Sequence, residues 1–285
     1  MTPYDPDWLD RMYNNRALVP ECVEHFAHWA RMSEHARTET DCHIDIPYGD
    51  SPLQKLDVFP AVRNRADAPV MVFIHGGYWR SLDKSDHSFI APPFNNRGAC
   101  VVVVNYDLCP EVAVPDIALQ CAHALAWVWR NIAAYGGDPR RISVVGHSAG
   151  GHLAAMMMLC QWQALGADLP ARLVHNAMSI SGLFDLEPVS QVPFLKDSLR
   201  LTPDHVLRAS TALLPKPASG QLYALAGGNE SPEFIRQNLL IGPAWGKQRV
   251  PVCETLPGLN HFNILEALVQ QRHRLYRLAL GLLQT

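Results

Sequence analysis

Six short apolar segments recur between residues 69 and 257, and stretches of helical length separate most of them. Each segment is apolar almost throughout, rather than at every second position, which is typical of strands buried on both faces. Such strands alternating with helices indicate an α/β fold with a mostly parallel central sheet flanked by helices. Sites in such sheets form at the carboxyl ends of the strands. The predicted strands lie in PVMVFIH (69–75), GACVVVVNY (98–106), RISVVGH (141–147), LVHNAMSIS (173–181), QLYALAGG (221–228) and VPVCETLP (250–257).

The rest of the chain is interpreted as part of one domain, residues 1–285, because α/β folds often reach this length. Residues 1–40 predict an N-terminal helical segment, and DCHIDIPYG with SPLQKLDVFP predicts a hairpin at one edge of the sheet. Residues 183–219 hold five prolines and no clear strand, so we expect a small cap or lid inserted over the strand ends. Helices are predicted in VPDIALQCAHALAWVWRNI (114–132), GGHLAAMMMLCQWQAL (150–165), SPEFIRQNLL (231–240) and FNILEALVQQRHRLYRLALGLL (262–283).

The composition argues against several classes of partner. A formal net charge of -3 and a pI near 6.5 provide no basic field for nucleic acid or an anionic membrane. No apolar run reaches the roughly 18 to 20 residues that span a bilayer. The N-terminus lacks the features of a signal peptide, and seven cysteines, an odd number, are typical of free thiols. We therefore expect a cytoplasmic protein with a small-molecule substrate, no nucleic-acid partner and no membrane partner; a homodimer stays open.

The segment RISVVGHSAGGHLAA (141–155) places Ser148 at the centre of a G-x-S-x-G pattern, between a predicted strand and a predicted helix. This context is typical of a nucleophile elbow, in which a strained turn exposes the serine hydroxyl. Gly146 and Gly150 would remove side chains that clash with that turn. The alternatives are that Ser148 only caps the helix or that the turn binds phosphate, although no GxGxxG and no lysine follow it.

The segment HGGYW (75–79) follows an earlier strand, where a backbone loop can stabilise the oxyanion of an attacking serine. We expect the N–H groups of Gly76 and Gly77 to donate to that oxyanion, together with the N–H of Ala149. His75 is expected to brace the loop through a hydrogen bond. Tyr78 and Trp79 are predicted to line the pocket; the alternative is a plain glycine turn with two aromatic residues covering the core.

The order serine, acid, histidine along the chain predicts the remaining catalytic residues. His261 follows the last predicted strand, whereas His273 lies within a predicted helix and is expected to lie on the surface. Glu230 follows the strand QLYALAGG and could accept the histidine Nδ1–H, or only stabilise the N-terminus of the next helix. Asp185 and Glu233 remain alternative acids.

A metal site is predicted to be absent. Cys22, His25 and His28 share a helical spacing, but the chain has no CxxC pair and no HExxH, so these residues are interpreted as one face of a packed helix. Cys109 has no adjacent base and is interpreted as structural. We expect no cofactor.

Five motifs together resemble the arylformamidase, or kynurenine formamidase, branch of the α/β-hydrolases. They are HGGYW (75–79), NYDLCPE (105–111), GHSAGGHLA (146–154), GGNESPEFIRQ (227–237) and NHF (260–262). The resemblance covers the chain from about residue 40 onward. It implies an α/β-hydrolase fold and, in tryptophan catabolism, hydrolysis of N-formyl-L-kynurenine to L-kynurenine and formate. NYDLCPE is also similar to a segment of hormone-sensitive-lipase-like esterases, so a carboxylesterase acting on short-chain esters stays open.

The same resemblance implies roles for individual residues. It assigns Ser148 as nucleophile, His261 as base and Glu230 as acid, with the oxyanion donors named above. Members of the family commonly have aspartate at the acid position, whereas this chain has glutamate. The reaction would pass through a formyl-serine intermediate, and Tyr78, Trp79, Phe262 and the 183–219 insertion would hold the aromatic leaving group. A non-catalytic binding protein with the same fold is the remaining alternative.

Overall fold

The computed structural model describes residues 4–62 and 66–284 and contains an eight-stranded sheet. The strand order is β1-β2-β4-β3-β5-β6-β7-β8. β1 and β2 form the predicted antiparallel hairpin at one edge, β2 also pairs antiparallel with β4, and all other pairs are parallel. The expected mostly parallel α/β sheet is therefore confirmed. The strands are β1 (His43–Pro47), β2 (Lys55–Phe59), β3 (Ala68–Ile74), β4 (Cys100–Val104), β5 (Gly137–His147), β6 (Val174–Ile180), β7 (Leu222–Gly227) and β8 (Val252–Leu256).

Both faces of the central strands are buried. In β3, Val72 and Ile74 belong to one hydrophobic cluster, whereas Met71 and Phe73 between them belong to a second cluster on the opposite face. Both clusters also contain residues from helices. The absence of polar alternation in the sequence follows from this arrangement, because neither face of these strands meets water.

Thirteen α-helices surround the sheet within the described residues. They are α1 (Pro6–Tyr13), α2 (Asn15–Leu18), α3 (Cys22–Glu39), α4 (Ala91–Asn95), α5 (Val114–Asn131), α6 (Ala149–Leu159), α7 (Trp162–Leu165), α8 (Glu187–Ser190), α9 (Pro193–Leu199), α10 (Pro203–Ala209), α11 (Pro232–Trp245), α12 (Asn263–Leu268) and α13 (Arg274–Leu282). Helices α5 and α6 pack in the first cluster, and α3, α4 and α13 pack in the second. No helix of residues 4–62 and 66–284 combines the length and the apolar character that crossing a bilayer requires.

The C-terminal helix differs from the prediction. The expected continuous helix over 262–283 is broken into α12 and α13. His273, predicted to lie within that helix, has an extended backbone at φ -75° and ψ 147°, and its Nδ1 accepts a hydrogen bond from Leu275 N. His273 is therefore the N-cap of α13, a role in which a side-chain acceptor satisfies a free backbone donor.

Two helical regions lie over the carboxyl ends of the strands. In the segment predicted as 1–40, α1 to α3 occupy residues 6–39, and residues 1–3 lie outside the described part. Helices α8 to α10 and a 3-10 turn at Thr211–Leu213 occupy the proline-rich insertion. Tyr13 OH donates to Glu233 Oε2 at 2.7 Å, and this bond fastens the N-terminal segment to α11.

Candidate active site

Ser148 lies at the junction of β5 and α6 and has φ 56° and ψ -119°. A serine in this region of backbone space is strained, and such strain persists only where the surrounding structure enforces it. Here Ser148 N donates to Ile180 O at 2.8 Å, which fixes the turn to the end of β6. The residue is 3% exposed, at the wall of a cavity.

The two glycines of the pattern are required by close packing, as the sequence predicted. A Cβ on Gly146 would stand 2.0 Å from Gly150 O, and a Cβ on Gly150 would stand 2.0 Å from Ile74 O. The second contact places the start of α6 against the end of β3. The loop that follows β3 is therefore held beside Ser148.

His261 contacts Ser148 through its ring. Its Nε2 lies 3.1 Å from Ser148 Oγ, which is hydrogen-bonding distance. The loop that carries it is closed by two asparagines: Asn260 Oδ1 accepts from Asn263 N at 2.9 Å, and Asn263 Oδ1 accepts from Asn260 N at 2.7 Å. No sequence prediction included this pair, although two asparagines flanking a histidine before a helix are a typical capping pattern.

Glu230 is the acid that contacts His261. Its Oε2 accepts from His261 Nδ1 at 2.7 Å, and its Oε1 accepts from Ser181 Oγ and from Gly227 N, each at 2.6 Å. Glutamate, which is one methylene longer than aspartate, fits here because Ser181 and Gly227 bind Oε1, the oxygen that does not contact His261. Ser181, a residue that the sequence analysis also missed, has φ 54° directly after β6.

The two alternative acids lie elsewhere. Glu233 Oε1 pairs with Arg236 Nε at 2.8 Å, and Asp185 Oδ2 lies 3.4 Å from Arg236 Nη2. Both carboxylates therefore belong to an ion-pair group on α11 and the cap. Neither has a hydrogen bond to His261 among the described residues.

His147 connects the segment of Ser148 to the loop of His261. It precedes Ser148, and its Nε2–H donates to His261 O at 2.8 Å. Burial, and then the nearby His261 ring, hold the pKa of His147 well below its ordinary value, so the ring stays neutral. A neutral ring with its proton on Nε2 is the form that this hydrogen bond needs.

The HGG loop lies beside Ser148. A Cβ on Gly76 would stand 2.8 Å from His147 O and 3.0 Å from Ser148 Cβ, so only glycine fits there without displacement. Gly77 has φ +100° and lines the cavity. Ala149 is the first residue of α6, so its N–H has no acceptor within the helix.

His75 braces this loop, as expected. Its Nδ1 lies 2.9 Å from Gly76 O and its Nε2 lies 3.0 Å from Asn105 Oδ1. Tyr106 OH also donates to His75 O at 2.8 Å. Burial lowers the pKa of His75, which suits a structural imidazole better than a proton carrier.

The cavity in front of Ser148 has a volume of about 550 Å³, within the range of small-molecule sites. Tyr78 and Phe262 line it, as predicted. Trp79 does not line it. Its side chain is 0% exposed and packs edge-on against His152, with the ring centres 5.2 Å apart. The prediction of Trp79 as a pocket residue is therefore wrong. The indole is buried beneath the loop, where its large apolar area stabilises more than it would at the wall.

Other residues that were not named individually from the sequence also line the cavity, including the following four. Tyr13 and Phe26 come from the N-terminal segment, and Arg80 and Phe194 come from the HGG loop and the cap. Only the helical period of the N-terminal segment was visible in the sequence, and a period does not reveal which sheet edge a helix covers.

No group of three or more metal-binding side chains occurs among residues 4–62 and 66–284. His25, part of the helical Cys/His spacing, has its Nδ1 2.6 Å from Glu266 Oε1 and stacks on Phe262. All seven cysteines are free thiols.

Comparison with known proteins places this geometry among hydrolases. The BD-FAE family model matches residues 56–216. Kynurenine formamidase from Danio rerio is 30% identical over 257 residues, covering 88% of this chain and 85% of that protein. Kynurenine formamidase from Salmo salar is 29% identical over 258 residues, with coverages of 88% and 85%. A crystal structure of a candidate thioesterase from Silicibacter sp. tm1040 superposes with a TM-score of 0.81 at 27% identity, covering 97% of this chain and 99% of that one.

Proposed function

The chain belongs to the BD-FAE family and to the kynurenine formamidase family, and from this premise we propose that it is a serine hydrolase of aryl formamides. The proposed substrate is N-formyl-L-kynurenine, which would be cleaved to L-kynurenine and formate in tryptophan degradation. The observation that carries the proposal is the unbroken hydrogen-bonded line from Glu230 through His261 to Ser148 at the wall of an aromatic-lined cavity.

In the first half of the reaction, His261 Nε2 takes the proton of Ser148 as Oγ attacks the formyl carbon. Glu230 accepts the His261 Nδ1–H, which fixes the tautomer and stabilises the imidazolium. Backbone N–H groups of Gly76, Gly77 and Ala149 would donate to the oxyanion. The C–N bond then breaks, and His261 returns the proton to the departing aryl amine, leaving formyl-serine.

In the second half, water replaces the amine. His261 takes a proton from water as the oxygen attacks the formyl-serine carbonyl, and the same backbone donors hold the second oxyanion. Collapse of this intermediate releases formate and returns the proton to Ser148. The formyl group needs little room, so selectivity would come from the walls that contact the aryl amine.

A carboxylesterase is the second candidate function, because segment 105–111 is similar to that of lipase-like esterases and the same catalytic residues cleave esters. The two candidates differ in their preferred substrate. A formamidase would have a higher kcat/KM for N-formyl-L-kynurenine than for a short-chain aryl ester, and an esterase the reverse.

The test is the absorbance change on mixing the purified protein with N-formyl-L-kynurenine, with Ser148→Ala as the control. We expect turnover by the wild type and a loss of about 10⁴-fold or more in the variant. Labelling of the wild type, but not of Ser148→Ala, by a fluorophosphonate would support the nucleophile. If the protein hydrolysed phenyl acetate rapidly and did not hydrolyse the formamide, carboxylesterase would replace formamidase as the proposed function.

A further inference from the structure

The cavity before Ser148 carries positive charge without a balancing carboxylate. Two arginines, Arg16 and Arg80, line it, and the described lining contains no aspartate or glutamate. Glu230 lies behind the His261 ring and is bonded on both oxygens. A cavity with this distribution of charge attracts an anionic ligand and offers no partner to an ammonium group.

Arg16 has its guanidinium free for a ligand. Its Cζ lies 5.2 Å from the centre of the Phe26 ring, and within residues 4–62 and 66–284 its side chain makes no hydrogen bond and no ion pair. Attraction to the face of the ring restrains the guanidinium and leaves the N–H groups at its edge available. A planar carboxylate is the group that such an edge binds with two parallel hydrogen bonds.

A second donor lies beside it. Asn15 is 4% exposed and lines the same cavity, and its Nδ2 has no hydrogen-bond partner in the described part of the chain. A buried amide donor without a partner is costly unless a ligand or water satisfies it. Asn15 and Arg16 are adjacent on α2, so one segment presents both donors.

Arg80 has a different role from Arg16. Its Nη1 donates to Phe194 O at 2.8 Å and to Ser198 Oγ at 3.0 Å, and both residues belong to α9 of the cap. Its charge has no carboxylate partner among the described residues. Arg80 therefore fixes the cap and adds to the positive potential, whereas Arg16 has the free donors.

From these contacts we infer that the site selects aryl formamides whose side chain ends in a carboxylate, that Arg16 binds this carboxylate, and that an amino group beside it is not recognised. The inference rests on the proposed function and specifies its substrate class. The aromatic ring would lie among Phe26, Phe194 and Phe262, which line the same cavity.

Three formamides test the inference in the purified protein. They are N-formyl-L-kynurenine, its analogue without the amino group, and N-formylkynuramine, which lacks the carboxylate. We expect kcat/KM for the first two to agree within about threefold and that for the third to be about 10- to 100-fold lower, mainly through KM, because a hydrogen bond to a charged group is lost. Equal kcat/KM for the first and third compounds would overturn the inference, as would a large loss on removing only the amino group.

Variants connect this preference to Arg16. In Arg16→Gln the ratio of the kcat/KM values for formylkynurenine and formylkynuramine should fall to within about threefold of one, and in Arg16→Lys it should be intermediate. Arg11→Gln removes the same charge from α1 outside the cavity lining and should keep the wild-type ratio. A ratio unchanged in Arg16→Gln, or lost equally in Arg11→Gln, would contradict the assignment.

Failure of the proposed function would be recognised separately. If none of the formamides is hydrolysed, the comparison moves to 4-acetoxybenzoate and phenyl acetate, which are acetyl esters with and without a carboxylate. A preference for 4-acetoxybenzoate that Arg16→Gln abolishes would support carboxylate binding in an esterase. No preference between the two esters would overturn it.

Discussion

Two regions of the site are held in place in different ways. The strand-end machinery, comprising the loops of Ser148, His261 and Glu230, is fixed by several short hydrogen bonds at each residue. The helical wall, comprising α1 to α3 and the cap helices α8 to α10, meets the HGG loop through side-chain bonds from two residues: Tyr78 OH donates to Tyr13 O, and Arg80 Nη1 donates to Phe194 O and Ser198 Oγ. We conclude that changes in the machinery should lower kcat, whereas changes in the wall should raise KM.

The largest expected effect is in the machinery. In Glu230→Gln the neutral amide can no longer stabilise the imidazolium of His261 and would disturb its tautomer, so kcat should fall by about 10⁴-fold. In Glu230→Asp the shorter side chain cannot reach Ser181, Gly227 and His261 together, so an intermediate loss of about 10- to 100-fold is expected.

Steady-state kinetics on the preferred substrate measure both losses. The control is Glu24→Gln, which removes a carboxylate from the exposed side of α3. A loss in Glu230→Gln no larger than about tenfold would mean that the acid does not control kcat, and the contrast between the two regions would disappear.

The second expected effect concerns the backbone donors. In Gly76→Ala the new methyl group would meet His147 O at 2.8 Å and displace the loop from Ser148, so kcat should fall by about 10²- to 10³-fold. Gly281→Ala in α13 adds a methyl group with no neighbour within 4 Å and should leave kcat unchanged. If Gly76→Ala raised KM and left kcat intact, this loop would belong with the wall.

The third prediction tests the link between the regions. His152 on α6 donates from Nε2 to Ala209 O of the cap at 2.8 Å, and burial lowers the pKa of His152 to about 4. Its Nδ1 is buried without a partner in the described chain, so the folded state resists protonation. As the pH falls from about 6.5, the His152 side chain of the unfolded protein is protonated first. The contribution of neutral His152 to the unfolding free energy is therefore fully present above that pH and decreases towards pH 4.

The contribution of His152 to this loss is about 3 kcal/mol. Urea unfolding between pH 7 and pH 4 measures it as the slope of the unfolding free energy against pH. His152→Gln should flatten the slope, whereas His28→Gln, at an exposed position of α3, should not. Identical slopes in the wild type and in His152→Gln would show that the link is insensitive to protonation.

The smallest expected effect is at the contact between the HGG loop and the wall. Tyr78→Phe removes the bond of 2.6 Å to Tyr13 O but keeps the ring, so the unfolding free energy should fall by about 1 kcal/mol. KM should rise by about 2- to 10-fold, and kcat should change by less than KM does. A fall in kcat larger than the rise in KM would assign Tyr78 to the machinery.

The same contrast explains what the sequence could predict. Ser148 and His261 could be predicted to lie together because each follows a recognisable strand, and parallel strands bring their carboxyl ends to one edge. The choice of Glu230 over Asp185 depended on loop geometry, which the structure supplies through Ser181 and Gly227.

Wall residues were harder to predict because helix packing, rather than strand register, places them. Arg16 lies about 130 positions before Ser148 in the chain, and no motif connects the two residues. Trp79 was misplaced because adjacent aromatic residues on a sharply turned loop point to different surroundings, one to the cavity and one to the core. Likewise, the break between α12 and α13 has no glycine or proline to mark it.

The contact from His147 to the carbonyl of His261 joins two segments of the site that lie far apart in the chain. Because the His147 ring joins the end of β5 to the loop that carries His261, we expect these two segments to move together. If the N-terminal helices detached first, the cavity would lose part of its wall while these hydrogen bonds remained. Substrate selectivity should then decrease before activity is lost. Mild heating should broaden the range of accepted substrates at temperatures where turnover persists.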